Sequence, residues 1–468
     1  MKKLIVSAGL VATGVACVQS AYGDGLDNII SPQSWSVSGN LRGFYDDNYN
    51  IAPGKKGSAG FEVSPSISYN LPTQQSDMGI RYTYGLYYYQ DRQDLGLNPF
   101  DQTHDLDLWF DHAINERWHI NVANTFAVGQ EPELISGPNA VNPAAGGVPF
   151  RVNGNNIGNH FTASLDTQWT ALFGTSLHYA NDFYYYENHG ATFGGTTNAA
   201  VPISNPNYPG ASAGFQGLNP SSGTLAGLLN RVDQNVGLDF IWTLSPTTKF
   251  FVGAAAGLSL YTGDEPISVF NFTTQGGLLV PGHITYMSDS RNSFTPSAYV
   301  GANHQFTENL SLNGTLGVQY TVNYNNPLNE DTAWSPVANI SLTYTYSAGS
   351  YVQLGVQQGQ NATYISQTDA SGNLTLYQNS TTVYADINQR IFNRLIGTLI
   401  GRYVYSTYEG GAFSSDQDNY FGVGVNLSYQ ISRHFSAEVG YNYDNLQSEI
   451  PGNSYNRNRV YFGLGANY

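Results

Sequence analysis

Apolar and polar residues alternate with a period of two along most of this chain. The clearest case is its end, where the apolar positions are Val460, Phe462, Leu464, Ala466 and Tyr468. The other face is small and neutral there, with Tyr461, Gly463, Gly465 and Asn467. Such alternation predicts a β-strand with one apolar face. Because the final strand offers no charge on its polar face, we expect charged residues to lie on earlier strands.

Two kinds of connection separate the predicted strands, and they alternate along the chain. Eight are short, at about 71–77, 115–117, 172–174, 245–248, 307–309, 347–349, 393–394 and 432–434. Nine are longer and rich in Gly, Asn and Pro, at about 46–58, 92–101, 131–157, 188–230, 263–291, 323–333, 366–377, 409–417 and 447–456. Together they join 18 strands, and a merged or missed hairpin would leave 16.

Strand length and composition predict a transmembrane barrel. The strands run to about 12 residues, enough for the roughly 9–11 needed to cross a bilayer at a tilt. Charged residues are 11% of the chain, and no stretch is apolar enough for a transmembrane helix. A soluble sandwich would carry more Lys and Glu on its polar face. We therefore predict an all-β, antiparallel up-and-down barrel with short periplasmic turns and long extracellular loops.

Parity assigns a face to each strand residue. The apolar outer face is predicted to include Ile80, Tyr82, Tyr84, Leu86, Ile120, Val122, Phe126, Leu238, Phe240, Trp242, Ile340, Leu342, Tyr344, Phe421, Val423, Val425, Leu427 and Tyr429. Four tyrosines (Tyr87, Tyr89, Tyr184 and Tyr186) face inward by the same rule, where they could stack on sugar rings or fill space near the rim.

The N-terminus reads as a secretory signal. Lys2 and Lys3 precede an apolar stretch, and small residues follow at Ala21–Gly23. This pattern predicts a signal peptide at 1–23, a periplasmic lead-in at 24–34 and a barrel at 35–468, located in the bacterial outer membrane. The alternative is a lipoprotein cut before Cys17, although Gly14 stands where an aliphatic residue is expected.

The inner face is predicted to be acidic. With Lys2 and Lys3 removed, 18 − 2 = 16 Lys+Arg remain against 34 Asp+Glu. The residues predicted to line a pore are Arg42, Arg81, Asp105, Asp107, Asp111, Asp166, Asp182, Asp233, Asp239, Asp386, Arg390, Arg402, Glu438 and Asp444. An acidic lumen favours cations or neutral solutes. Alternatively, these charges pair with arginines and water to keep the lumen wet.

Prolines and long loops supply two further hypotheses. Pro65, Pro296 and Pro336 each fall early in a strand, so we expect bulges or unpaired wall there, or strands that simply begin late. The loop 188–230 has no charged residue, and it or 131–157 could fold into the barrel and narrow it. The segment Thr224–Asn230 is suited to one helical turn.

Nothing in the sequence predicts enzymatic chemistry or a cofactor. No serine is flanked as a nucleophile elbow, and His104, Asp105 and Asp107 on one strand read as lumen polarity. The run Asp46–Asn50 offers oxygens of the kind that Ca²⁺ accepts but lacks the glycine and distal glutamate of a calcium loop, so a solvated loop is the expectation. We predict no catalytic, cofactor or metal site and no nucleic-acid partner.

Three features together resemble the outer-membrane β-barrel porins associated with exopolysaccharide operons. They are Tyr45-Asp46-Asp47-Asn48 after a short first strand, the Phe61–Tyr69 strand with its proline, and the His104…Trp118 hairpin. The resemblance implies a water-filled channel for small hydrophilic solutes or sugars. Polysaccharide export or surface adhesion is the alternative.

The predicted partners follow from the membrane location. Outer-membrane lipid would cover the apolar face, and the C-terminal strand ending at Tyr468 resembles the insertion signal that barrel-assembly machinery reads. A homotrimer is compatible with the sequence.

Overall fold

A computed structural model describes residues 34–51, 53–94, 98–129, 156–187, 224–272, 282–328 and 330–468. Within them, 18 strands form one antiparallel sheet. The strands of its first half are β1 (Trp35–Asp46), β2 (Ser58–Pro72), β3 (Ser76–Tyr89), β4 (Phe100–Ala113), β5 (Trp118–Gly129), β6 (Asn156–Gln168), β7 (Phe173–Tyr186), β8 (Arg231–Ser245) and β9 (Thr248–Tyr261).

Two short strands outside the barrel, β10 (Pro266–Phe272) and β11 (Gly282–Met287), pair with each other. The barrel continues with β12 (Ser293–Thr307), β13 (Leu310–Asn323), β14 (Asp331–Ser347), β15 (Ser350–Asn361), β16 (Tyr377–Phe392), β17 (Leu395–Glu409), β18 (Gln417–Gln430), β19 (Phe435–Ser448) and β20 (Tyr455–Asn467).

The sheet closes on itself because the last strand pairs with the first. The β1–β20 register runs from Ser38 opposite Asn467 to Asp46 opposite Arg459. Each remaining strand pairs with its sequence neighbours, and β9 pairs with β12 across the β10–β11 insertion. The prediction of 18 strands is confirmed, and the alternative of 16 is wrong. The predicted short turns and long loops all fall between the strands they were expected to join.

Alternating burial follows the alternating sequence. On β20, residues from Arg459 to Ala466 switch regularly between buried and exposed. Predicted outer-face residues such as Leu238 (39% exposed) and Val425 (38% exposed) are open to the surroundings, as a membrane-facing wall requires. The parity that assigned the two faces is therefore confirmed for these strands.

All three prolines interrupt the wall on one side only. Pro65 pairs with β1, but the β2–β3 pairing skips from Val63 to Ser66. Pro296 pairs with β9, while the β12–β13 pairing skips from Phe294 to Ser297. A proline has no N–H to donate, so it can complete a ladder toward only one neighbour.

Pro336 marks the largest interruption. It pairs with β13, but β14 meets β15 only from Ala338 onward. Near this interruption, the Gln360 side chain of β15 accepts hydrogen bonds from Gln319 Nε2 (2.9 Å) and Thr321 Oγ1 (2.7 Å) of β13. The expectation of unpaired wall is confirmed, and these strands do not begin late.

The long loops contain the helical segments. These are α1 (Gln90–Asp94), α2 (Leu225–Leu229) and a 3-10 helix (Ser288–Arg291). In α2, the Thr224 side chain accepts a hydrogen bond from the Gly227 N–H (3.0 Å), so the predicted single turn is confirmed with its N-cap. None of the helices in the described ranges has the length and apolar character needed to cross a membrane.

A buried ion pair ties the first strand to the last. Arg457 Nε of β20 donates to Asp46 Oδ2 of β1 at 2.8 Å, and both side chains are at most 1% exposed. Replacing Arg457 with Met leaves the Asp46 carboxylate buried without its cation. We expect the free energy of unfolding to fall by about 3–5 kcal/mol, measured by urea titration of the refolded barrel in detergent.

The matched control is Arg433→Met, which removes an exposed arginine from the turn between β18 and β19. It should change the unfolding free energy by less than about 0.5 kcal/mol. The double variant Asp46→Leu/Arg457→Met should recover much of the loss, since neither buried charge is then left alone. Equal stability of the Arg457→Met and Arg433→Met proteins would contradict the closure role of this pair.

Candidate functional site

The inner face of the barrel brings together the charged residues predicted from parity. All 14 predicted pore-lining residues stand on strands β1, β3, β4, β6, β7, β8, β16, β17 and β19, on the face opposite the exposed apolar positions. Their burial differs widely: Arg42 is 2% exposed and Asp182 7%, whereas Arg390 is exposed at the short-turn end. Whether they line a conducting path stays a prediction.

On one side of the lumen, arginines and carboxylates of β19, β20, β1 and β2 form buried ion pairs. Arg42 Nε lies 2.5 Å from Glu438 Oε1, and Arg42 Nη1 lies 3.1 Å from Glu62 Oε1. Arg459 Nη2 contacts the other Glu62 oxygen at 3.5 Å. These side chains are at most 8% exposed, so this ladder of arginines and carboxylates has little charge free to meet a solute.

Sequence reasoning missed part of this ladder. The final strand was expected to be small and neutral on its inner face, and this was wrong: Arg457 and Arg459 share that face with Tyr461. The parity rule could have found both arginines, because they continue the same odd-numbered series toward the long-loop end. Closure of the barrel therefore sets two cations of β20 beside the carboxylates of β1 and β2.

On the neighbouring side, β4 to β8, carboxylates pair mainly with histidines. His119 Nε2 lies 2.6 Å from Asp111 Oδ1, and its Nδ1 lies 3.9 Å from Asp166. His178 Nδ1 lies 3.7 Å from Asp239.

His160 likewise bonds Asp182, and Arg81 holds Asp107 at 2.9 Å. We call this set of side chains the His–Asp strip: Arg81, Asp107, Asp111, His119, His160, Asp166, His178, Asp182 and Asp239. Arginines were predicted opposite these carboxylates, so the histidine partners are a new finding.

Toward its short-turn end, at Asp111 and Asp166, the His–Asp strip is more exposed than the arginine ladder. The Asp111 side chain is 42% exposed and Asp166 22%, compared with 3% for Glu62. The strip therefore presents accessible negative charge to the lumen.

His104 does not belong to this strip. It was read as lumen polarity, and this was wrong: its ring Nδ1 lies 2.8 Å from the hydroxyl of Tyr82, an outer-face residue that is 38% exposed. In the β3–β4 register His104 stands opposite Tyr84, which was also assigned outward. His104 has the even parity of the outer-face residues of β4, opposite to Asp105 and Asp107.

Long loops fold against the inner face at their end of the barrel. In the β1–β2 loop, Tyr49 packs with Phe44, Tyr89 and Tyr461. Two residues further on, Ile51 packs against a cluster formed by Val404, Tyr420, Leu446 and Tyr455 of β17 to β20. Since these partners are inward-facing, the loop reaches over the rim and narrows the lumen.

A second set of loops forms a small core of its own, which we call the cap. It consists of α2, the β10–β11 hairpin, the 3-10 helix and residues 362–376. Its buried side chains include Leu229, Ile267, Tyr286 and Leu374, each fully buried. Ile365 joins the cap to inward-facing Tyr408 of β17.

Arg291 holds the cap together. Its guanidinium is 1% exposed and donates to the carbonyl oxygens of Thr363 (2.7 Å), Ile365, Thr375 (3.0 Å) and, more weakly, Leu228 (3.5 Å). Burial lowers the pKa of Arg291 to about 10, which leaves it protonated at neutral pH. A buried cation is costly unless it is hydrogen-bonded, and here backbone carbonyls from separate segments accept from both Nη1 and Nη2, while Nε makes no hydrogen bond within the described residues.

The loop hypothesis can be answered only in part. Most of 188–230 and nearly all of 131–157 lie outside the described residues, so their place in the lumen stays a prediction. The described end of the first loop, α2, is buried in the cap. The loops that do fold inward, 47–57 and 362–376, were not singled out from the sequence.

The inward tyrosines are engaged by arginines. Arg231 stands 4.1 Å from the ring centre of Tyr184, Arg92 stands 4.1 Å from that of Tyr89, and Arg459 lies 5.8 Å from that of Tyr87. Tyr186 is buried in the cap core. Their inward orientation agrees with parity, and these contacts favour the space-filling interpretation over open sugar platforms.

The aspartates of the first loop are used structurally. Asp46 binds Arg457, while Asp47 accepts from Lys55 Nζ at 2.9 Å and from the Asn458 N–H at 2.6 Å. Burial acts to raise the pKa of Asp47, but the hydrogen bonds from Lys55 and Asn458 outweigh it and hold the pKa below its usual range. In the described part of the chain, no three His, Cys, Asp or Glu side chains are placed to hold a metal ion.

The architecture defines a class. A closed antiparallel barrel with an apolar outer wall and a polar inner wall is an outer-membrane β-barrel. The family model described as "Putative beta-barrel porin 2" matches residues 286–468, from β11 to the C-terminus. The resemblance to outer-membrane porins is confirmed over this region, and the chain has the architecture of an outer-membrane β-barrel.

Several solved structures of outer-membrane proteins match the chain at low identity. The outer membrane protein opdK from Pseudomonas aeruginosa is 10% identical, with 93% of this chain and 99% of that chain covered and a TM-score of 0.45. OccAB4 from Acinetobacter baumannii is 11% identical, with 93% and 99% covered and a TM-score of 0.39.

A mutant of the ferric enterobactin receptor from Pseudomonas aeruginosa is 10% identical, with 92% and 80% covered and a TM-score of 0.41. No curated protein matches the chain.

Removing the Arg291 guanidinium should loosen the cap. In Arg291→Met the carbonyls of Thr363 and Thr375 lose their donor, while a similar side-chain volume remains. We expect faster proteolysis of residues 362–376 in the folded barrel, followed by mass spectrometry of the fragments. Arg394→Met, an exposed arginine of the β16–β17 turn, is the control. Identical cleavage patterns in the two variants would show that Arg291 does not hold the cap.

Proposed function

We propose that this protein is an outer-membrane porin through which small hydrophilic solutes pass passively, with a preference for cations and neutral solutes. The observation that carries the proposal is the His–Asp strip, whose partly exposed carboxylates on β4 to β8 face the lumen. The arginines of β20 and β1, in contrast, are buried in ion pairs with carboxylates. Negative charge on a low-dielectric wall concentrates cations and repels anions.

The loops add a size limit to this charge preference. Ile51 and Ile365 pack against inward-facing residues at the long-loop end, so a solute entering there meets a lumen narrower than the barrel wall alone would leave. A barrel of this strand number is wide enough to keep an aqueous channel once loops fold in. Export of an anionic polysaccharide fits such a narrowed, acidic passage poorly, and the role we propose is non-enzymatic.

The remaining partners are proposals of the same kind. Removal of 1–23 would leave 24–34 as a periplasmic lead-in to the barrel, and intact-mass measurement of the purified protein checks the cleavage site. The terminal strand ending at Tyr468 would be read by the barrel-assembly machinery. A homo-oligomer in the outer-membrane lipid is the proposed assembly, either a two-fold dimer or the homotrimer that the sequence allows.

Neutralising the exposed strip should weaken cation preference. In planar bilayers under a KCl gradient, we expect the reversal potential of the wild-type channel to have the sign of cation selectivity. In Asp111→Asn/Asp166→Asn it should move toward zero, because two lumen charges are lost with little change in volume.

The control removes the same charge outside the lumen. Glu116→Gln/Glu308→Gln alters two exposed turn residues and should leave the reversal potential unchanged. Absence of any conductance in the wild-type protein would remove the porin proposal. Anion selectivity would leave the channel standing but overturn this account of its lining.

A further inference from the structure

Four amide side chains cross the outer face of β5 to β8. Asn124, Asn159, Asn181 and Gln234 have the parity of the outer wall, and Asn181 stands directly opposite Gln234 in the β7–β8 register. Phe161 lies between Asn124 and Asn181 in the same cross-strand line. We call these four residues the amide row.

The amide row lies inside the apolar band of the wall. Toward the long-loop end, the next outward residues on the four strands are Phe126, Ile157, Phe183 and Val232. Toward the short-turn end they are Val122, Phe161, Tyr179 and Val236. The amides are therefore flanked on both sides by side chains that suit hydrocarbon, and lipid tails would cover the row unless something else does.

Lipid tails give amides nothing to bond. The Asn124 and Asn159 side chains form two hydrogen bonds with each other, because the Nδ2 of each donates to the Oδ1 of the other at 3.0 Å. Each still has a second N–H, and the Asn181 Nδ2 makes only a long 3.5 Å contact with the Asp233 carbonyl. The Gln234 amide makes no hydrogen bond within the described residues. Unsatisfied amides are costly in hydrocarbon.

We propose that the amide row is the contact surface for a second copy of this chain. An amide is both donor and acceptor, so a row of amides is complementary to itself, as contact between identical faces requires. Interhelical amide bonds join membrane helices by the same chemistry. This inference rests on the proposed homo-oligomeric porin and deepens it by naming the face on which two copies meet about a two-fold axis, which gives a dimer.

The available surface has the size that such a contact needs. Four strands about 4.8 Å apart and about 12 residues long give a face of about 20 Å by about 40 Å, or about 800 Å² per copy, the area of a standard interface. Beside the row lies a groove of about 550 Å³, lined by apolar side chains such as Ile80, Leu108, Phe110 and Val122 and bordered by Asn124. Side chains of a second copy would fill it.

Cysteine cross-linking in native outer membranes tests the proposal. The only cysteine of the chain is Cys17, in the predicted signal peptide, so single cysteines can be placed without background. Asn181→Cys and Gln234→Cys should each give a covalent dimer with a bismaleimide spacer. Val383→Cys and Val439→Cys, exposed outer-face positions on β16 and β19, are the matched controls and should stay monomeric.

A second measurement separates loss of contact from loss of fold. Asn124→Leu/Asn159→Leu/Gln234→Leu should keep the heat-modifiable mobility of a folded barrel while light scattering in detergent falls from an oligomer to a single copy. Dimers from the control positions only, or a wild-type protein that is monomeric with bound lipid on this face, would overturn the proposal.

The outcome is independent of the channel test. If the row cysteines cross-link but bilayers show no conductance, the porin proposal fails and the contact surface stands. If conductance is present and cations are favoured while no row cysteine cross-links, only the contact surface fails.

Discussion

The structure depends on one constraint: inside a bilayer every backbone N–H and C=O must find a partner in the protein. A sheet meets this only when its first and last strands pair, which they do from Ser38–Asn467 to Asp46–Arg459. The prolines show how closely the constraint is kept. Pro296 and Pro65 each complete the ladder to one neighbour and leave a short gap to the other. The wall tolerates missing bonds where one strand lacks a donor.

Closure also decides where charge is usable. It gathers Arg457 and Arg459 beside Asp46 and Glu62, and buried pairs of this kind neutralise themselves. The strands farther along the sheet combine arginine pairs, at Arg81 and Arg231, with histidine partners such as His119. One lumen therefore has a structural side, held by complete ion pairs, and a side whose carboxylates remain accessible. Composition alone, which counts only net charge, cannot separate the two.

The fold was predictable because its signals are local. Period-two alternation and the spacing of turns set the strand count and the faces, and Thr224 marked the start of α2. The site was predictable only in outline. Parity placed Asp111 and Asp166 inward, but the histidine partners come from neighbouring strands whose register a single sequence does not reveal. The cap was missed because Arg291 binds backbone carbonyls of residues 72–84 positions away, and no sequence pattern encodes such contacts.

The β1–β2 loop has a temporal consequence for how the molecule assembles. Tyr49 and Ile51 are near the start of the barrel, yet the groups they pack against, such as Val404 and Tyr461, are close to its end. The first long loop to be synthesised is thus among the last to gain all of its packing partners. Until β20 has reached β1, Tyr49 can pack only on Phe44 and Tyr89, and Ile51 lacks its packing partners on β17 to β20. The open barrel would be the form most in need of a chaperone during its passage across the periplasm.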